Sequence, residues 1–203
     1  MGKIYYLMGK SASGKDTLFK RLLGECPGLR KMVLYTTRPR RDGEEEGVEY
    51  HFTTEESLEE LEAGGKVIES RTYQTVQGPW TYATVDDGQM HLEEWDYLAI
   101  GTLESYERIR NYYGPDIVVP IYITVDDGVR LERALNRERQ QREPRYQELC
   151  RRFLADEEDF SPENLRHCGI FDSYKNEDLD ECLKKIRTKI CNHSDKKCSS
   201  SFI

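Results

Sequence analysis

The sequence predicts an α/β fold in which a parallel sheet flanked by helices carries an inserted lobe and a lid. Three observations predict it: short apolar runs alternate with helical patterns, a glycine-rich turn joins the first run to the first helix, and a charged, glycine-broken stretch interrupts the alternation. Residues 3–8 form an apolar run closed by Gly9, after which Leu18, Leu22 and Leu23 recur at helical spacing, giving strand, turn and helix. The run Met32-Val33-Leu34-Tyr35 reads as a second strand, and Pro39 stops regular pairing soon after it. From Asp42 to about Tyr82 the chain is charged and broken by Gly43, Gly47, Gly64, Gly65 and Gly78, which predicts a small lobe of short strands and one helix. Tyr97-Leu98-Ala99-Ile100 and the run 117–123 read as buried strands, each followed by a helical pattern. In such a βαβ alternation ligands sit beyond the carboxyl ends of the strands. One domain is expected over 1–190, with core segments 1–35 and 84–190, a lobe at about 36–83 and a lid at about 137–150; 191–203 is expected to be a flexible polar tail.

Composition narrows the class. A chain of 203 residues can bury one substantial core. Mean hydropathy is −0.78, and no apolar run approaches the ~20 residues that span a bilayer, so no membrane segment is expected. The opening run is too short for a signal peptide, which points to the cytoplasm. The six cysteines show neither a CxxC pair nor a histidine at ligand spacing, so reduced thiols and no zinc site are expected. A net charge of −8 argues against a nucleic-acid polymer as partner, because such binding rests on neutralising many phosphates. Arginines nevertheless cluster at Arg38, Arg40 and Arg41 and again from Arg130 to Arg152, a layout suited to small phosphorylated ligands.

Gly9-Lys10-Ser11-Ala12-Ser13-Gly14-Lys15 matches GxxxxGK between a strand and a helix, where a phosphate-binding P-loop must lie. Its glycines let backbone N–H groups turn toward phosphate oxygens, the helix N-terminus adds positive potential, and Lys15 can reach the β and γ phosphates. The expected ligand is a nucleoside triphosphate with Mg²⁺. Position 16 departs from the motif: Asp16 stands where a hydroxyl is usual, and the hydroxyl follows at Thr17. A carboxylate suits a hard cation, so Asp16 is a candidate Mg²⁺ ligand; equally, it suits the first turn of a helix as a cap.

The stretch Thr36-Thr37-Arg38-Pro39-Arg40-Arg41-Asp42-Gly43-Glu44, followed by Gly47 and Tyr50, resembles the acceptor-binding signature of guanylate kinases. That resemblance implies an ATP- and Mg²⁺-dependent phosphotransferase whose GMP phosphate is held by Arg38, Arg41, Glu44 and Tyr50. Chemistry agrees, since arginine grips phosphate through paired hydrogen bonds and tyrosine adds a neutral donor. By the same resemblance Glu69 reads the guanine edge, Tyr82 reaches the acceptor phosphate and Thr84 lies near the base. The proline, at Pro39, is one place early, and the spacing from Glu69 to Tyr82 is longer than the family norm.

Two further departures bear on specificity and metal use. Leu34 replaces the serine that assists base reading, and the acidic pair expected after the third strand falls on Ile100-Gly101-Thr102, with Glu104, Asp96 or Asp16 as the substitutes. Tyr73, Thr84 or Thr102 are candidates to rebuild guanine selectivity. Beyond Asp126, Arg133 and Arg137 stand four apart on one helix face, with Arg152 on the next helix. The resemblance places all three on the lid over the transferring phosphoryl group, a step that needs charge stabilisation more than covalent help. Their neighbours Arg130, Arg139, Arg142 and Arg145 read mostly as a solvated basic face. Asn176, in Asn176-Glu177-Asp178-Leu179, resembles the family's adenine contact and also reads as a helix N-cap. The reaction implied is ATP and GMP to ADP and GDP; a P-loop kinase of another small acceptor and a non-catalytic guanylate-kinase-like interaction module are the alternatives.

Overall fold

A computed structural model of the chain describes residues 1–75 and 78–199. The chain runs β1 (Ile4–Met8), α1 (Lys15–Glu25), β2 (Leu29–Lys31), β3 (Tyr35–Thr36), β4 (His51–Phe52), α2 (Glu55–Ala63), β5 (Val67–Thr75), β6 (Gly78–Val85) and β7 (Asp96–Gly101). It continues through α3 (Leu103–Tyr113), β8 (Val118–Thr124), α4 (Asp127–Arg139), α5 (Tyr146–Asp159), α6 (Pro162–His167), β9 (Tyr174–Lys175) and α7 (Leu179–Ser199).

The core sheet is parallel throughout, in the order β2-β7-β1-β8-β9. β1 is buried along its whole length because both of its faces are covered. On one face Ile4, Tyr6 and Met8 pack with Tyr106 and Ile109 of α3; on the other Tyr5 and Leu7 pack with Leu18 and Leu22 of α1 and Leu183 and Ile186 of α7. Each of these fully buried side chains contributes roughly 1.5–3 kcal/mol of hydrophobic stabilisation.

The lobe is built on a second sheet, in the order β4-β3-β6-β5, with β5 and β6 forming a long antiparallel hairpin. Leu58 of α2 packs against Ala83 and Val85 of this sheet. The lobe leaves the core after β2 and returns before β7, which pairs with β2.

Two sequence expectations change. The run 32–35 is not one strand: Met32 donates to Leu98 O at 3.0 Å and is buried in the core, whereas Tyr35 pairs with Ala83 in the lobe sheet. Its apolar residues serve two separate cores, which is why the run looked continuous. The segment 191–199, read as a tail, continues α7; Ile190 is buried, and the His193 ring lies 6.0 Å from Tyr5, carrying the packing beyond the predicted end of the domain. Residues 200–203 of that expected tail lie outside the described residues. The segment 137–150, expected from the sequence to be a lid, comprises the end of α4, the connection 140–145 and the start of α5, and Arg145 N donates to Glu138 Oε1 at 2.5 Å. Among the described residues, no helix is long and apolar enough to cross a membrane.

Candidate active site

The loop between β1 and α1 needs its small residues. A Cβ on Gly9 would fall 2.5 Å from the Ile123 carbonyl of β8. Gly14 has φ +88°, and a Cβ there would meet Asn176 Nδ2 at 2.3 Å. Ala12 takes φ 61°, a left-handed conformation that costs a non-glycine residue about 1–2 kcal/mol and recurs at functional turns. Lys15 opens α1, with Asp16 and Thr17 exposed in its first turn. The N-cap is Gly14 and makes no side-chain capping bond, so Asp16 is not the cap; it lines the main cleft instead.

The loop is braced from three distant parts of the chain. Asn176, only 2% exposed, donates through Nδ2 to Ser13 O at 2.7 Å, while its Oδ1 and the Ser13 Oγ are buried with no hydrogen-bond partner among the described residues. It does not cap α7, whose first turn is held by Asp178 Oδ1 accepting from Glu181 N at 2.8 Å. Asp156 of α5 accepts from Ser11 N at 2.8 Å, and Glu157 accepts from Lys10 Nζ at 2.6 Å. Arg130 of α4, 1% exposed, joins these groups: Nε donates to Ser11 O at 3.1 Å, and the terminal nitrogens reach Asp127, Asp156 and Glu157 at 2.5, 3.1 and 2.9 Å. Its guanidinium also stacks 4.7 Å above the Phe153 ring. Among the arginines that read mostly as a solvated face, Arg130 is the exception: burial by α5, not helix periodicity, sets its environment.

Across the cleft, Arg38 is nearly buried and forms a two-pronged pair with Glu44, NH2 to Oε1 at 2.8 Å and NH1 to Oε2 at 3.0 Å. Glu44 also accepts from Arg41 N at 2.8 Å, and these bonds hold its carboxyl at about 2, well below the usual range. Glu44 therefore acts on the arginines and is not aimed at a phosphate. Arg41 is exposed to the cleft, and Tyr50 and Tyr82 meet edge to face with centroids 5.6 Å apart beside it. Glu69 is held by two hydroxyls: Thr84 Oγ1 donates to Oε1 at 2.7 Å and Ser105 Oγ donates to Oε2 at 3.0 Å. Thr84 is 2% exposed and stands behind Glu69, whereas Ser105, which sequence reasoning missed, shares the cleft wall with it. Burial, and then the Glu69 charge, push the Tyr6 hydroxyl pKa upward, so it lines the cleft as a neutral phenol.

This cleft has a volume of about 1570 Å³ and is lined by Asp16, Leu34, Arg38, Arg41, Tyr50, Glu69, Tyr82 and Arg152 among others. Arg152 donates to Glu148 at 2.8 Å and also faces a second cavity of about 520 Å³, shared with Ser11 and Arg137. Bonds from Arg151 and then Arg152 hold the Glu148 carboxyl at about 2. Arg133 donates to Asn176 O at 3.3 Å, next to Gly14. Ile100, Gly101 and Thr102 line the main cleft with Asp16, and Ile100 and Asp16 also share a smaller pocket with Leu34. Neither alternative acid is available there: Glu104 binds Arg71 at 3.0 Å, and Asp96 accepts from Lys3 N at 2.8 Å at the far end of β7.

The family model for guanylate kinase matches residues 1–193. A guanylate kinase of Synechococcus sp. (strain CC9902) is 31% identical over 199 residues, covering 92% of this chain and 94% of that protein. A guanylate kinase of Granulibacter bethesdensis is 35% identical over 113 residues, and one of Symbiobacterium thermophilum 46% identical over 68. These two matches cover 53% and 34% of this chain, and the chain spans only 50% and 32% of the length of those relatives. Among solved structures, guanylate kinase from Anaplasma phagocytophilum shares the fold with a TM-score of 0.62 at 21% identity, covering 95% of this chain and 86% of that one. With a family model over 1–193 and a relative at 31% identity matched along nearly its whole length, the chain belongs to the guanylate kinase family.

Proposed function

We propose that the chain transfers the γ-phosphoryl group of ATP to GMP, giving ADP and GDP, as a cytoplasmic enzyme. The observation that carries the reading is the single cleft of about 1570 Å³ that joins the first turn after the P-loop to the Arg41, Tyr50, Tyr82 and Glu69 wall. The start of α1, directly after the P-loop, and the acceptor wall thus open onto one space, which suits a donor phosphate meeting an acceptor phosphate there. In the proposed step an oxygen of the acceptor phosphate attacks the γ-phosphorus in line, the bond to the β–γ bridging oxygen breaks, and ADP leaves. Lys15, Arg133, Arg137 and Arg152 spread the charge that develops on the transferring group, and no general base is required. Closure of the 140–145 connection with the flanking helix ends excludes water, the competing acceptor.

The residues present fit Mg²⁺. Asp16 and Thr17 offer a carboxylate and a hydroxyl, both exposed, and this cation commonly takes one or two protein oxygens with the remainder from phosphates and waters. When bound, it neutralises charge on the triphosphate. Asn176 serves ATP binding in this reading by holding the P-loop through its bond to Ser13 O; its Oδ1 is buried and is not offered to the adenine.

A panel of nucleoside monophosphates assayed with ATP tests the proposal. GMP should be phosphorylated, and Lys15→Ala should lower turnover roughly 10²–10³-fold while the protein stays folded. Turnover of another monophosphate but not GMP favours the second reading, a kinase of a different acceptor, for which Leu34 and the acid-free Ile100-Gly101-Thr102 stretch are the supporting observations. Equal inertness of wild type and Lys15→Ala favours a non-catalytic module.

A further inference from the structure

Arg71 lies two residues beyond Glu69 on β5, so the strand's period of two puts both side chains on one face, and both line the large cleft. The Arg71 side chain is one-fifth exposed; NH2 donates to Glu104 Oε2 at 3.0 Å, and Nε stands 4.0 Å from Glu69 Oε2. A guanidinium has five N–H donors, and the bond to Glu104 uses one of them. Glu69, by contrast, offers only acceptor positions, one on each oxygen already taken by Thr84 and Ser105. This part of the wall therefore presents an acceptor and a donor side by side. Leu34, on the same cleft, adds no polar group.

A guanine edge carries the complementary pattern: donors at N1–H and the 2-amino group, and beside them the O6 acceptor. Arginine donating to guanine O6 and N7 is the commonest specific contact by which proteins read that base. We propose that Arg71 is a specificity-determining residue, donating to O6 of the acceptor base while Glu69 accepts from N1–H and the 2-amino group. The inference rests on the guanylate kinase reading above and assigns a donor for O6 that the sequence had not singled out. The 4.0 Å between the two side chains lets both reach neighbouring positions of one ring edge. Their opposite charges also spare a neutral base from meeting a lone anion.

The test is calorimetric binding of GMP, IMP and 6-thio-GMP to wild type, Arg71→Ala, Arg71→Lys and Glu104→Gln, with melting temperatures as a folding check. IMP lacks the 2-amino group; 6-thio-GMP replaces O6 by a weak acceptor. Arg71→Ala should weaken GMP binding roughly 10- to 100-fold and remove the preference for GMP over 6-thio-GMP. The GMP-to-IMP ratio, set by Glu69, should not change, and Glu104→Gln should keep both ratios. Arg71→Lys, which keeps the charge and one donor direction, should fall between and serves if the alanine variant does not fold. An unaltered 6-thio-GMP ratio in Arg71→Ala overturns the role of Arg71 alone, as does an equal loss in Glu104→Gln, which would make the pair a tether. Absence of GMP binding to wild type overturns both this inference and the reading beneath it.

Discussion

Replacing Arg130 by methionine tests whether the charged brace under the P-loop stabilises the fold. Methionine keeps an apolar stem against Phe153 but removes the cation that meets Asp127, Asp156, Glu157 and the Ser11 carbonyl. Stripping one partner from a buried ion pair costs about 3–5 kcal/mol. Here Asp156 is 14% exposed, but Asp127 and Glu157 are 53% and 39% exposed, and exposed pairs contribute about 0–1 kcal/mol each. Lys10 still holds Glu157 at 2.6 Å, so the lower end applies, about 3 kcal/mol. For a chain of this size that is a fall of roughly 6–12 °C in melting temperature.

The penalty should depend on pH. Burial raises the Glu157 pKa, but hydrogen bonds from Lys10 and Arg130 outweigh it and leave the carboxyl below its ordinary 4.5. A lowered carboxyl stabilises the fold above its unfolded pKa and loses that contribution as pH falls through the folded one, so the gap between wild type and Arg130→Met should narrow below about pH 4.5. The assay is urea unfolding at pH 7 and pH 4 with a cycle through Asp156→Asn, whose amide oxygen still accepts from Ser11. A coupling near 1–3 kcal/mol is expected. Arg130→Met within about 1 kcal/mol of wild type, with no coupling, would refute the reasoning.

Glu44→Gln should abolish one component of acid unfolding: the Arg38-bound carboxyl sits at about 2 against an ordinary 4.5, so its contribution is complete above pH 4.5 and disappears toward pH 2, and melting curves across that range should show the variant flat where wild type falls. Gly14→Ala, forced to φ +88° with its Cβ against Asn176, should cost about 1–2 kcal/mol and weaken ATP binding at least about tenfold with GMP binding unchanged. Intact ATP affinity in calorimetry would show that the loop tolerates the methyl group. Asp16→Asn should raise the Mg²⁺ concentration for half-maximal activity several-fold, and Glu104→Gln, tied to Arg71, should not; the reverse order would move the metal away from Asp16 to the separate cavity that Glu104 lines with Asp159.

What could be read in the sequence was what is local. The strand, glycine turn and helix around Gly9–Lys15 form one contiguous signal, and Arg133 with Arg137 stand out by helical spacing. Arg130 carries no such signal: on α4 it is one arginine among several, and it becomes buried only because α5 folds back to place Asp156 and Glu157 against it. Ser105 was hidden for the same reason, since Glu69 meets it where β5 passes the start of α3; Arg71 shares a strand face with Glu69, a local relation that only the Glu104 bond and the cleft lining turn into a site. Asn176 preceded a helix and looked like its cap, yet the helix begins later and the side chain turns to Ser13. The exchange of acids near Thr102 was only half legible. Sequence showed which acids were missing, but the bonds of Glu104 and Asp96 decide which substitute still faces the cleft.

The brace on the P-loop also bears on the order in which the protein matures. Its supports are remote in sequence: Arg130, Asp156, Glu157 and Asn176 lie 119, 145, 147 and 163 positions from the loop residues they bind. Contacts of such long separation form late, because the chain entropy of closing the loop must be lost before they contribute. As the chain emerges from its N-terminus, the motif most visible in the sequence is therefore synthesised early and finished last. Intermediates that have β1 and α1 but lack the packed α4, α5 and β9 should bind triphosphate poorly, which makes nucleotide affinity a late reporter of folding in this family member.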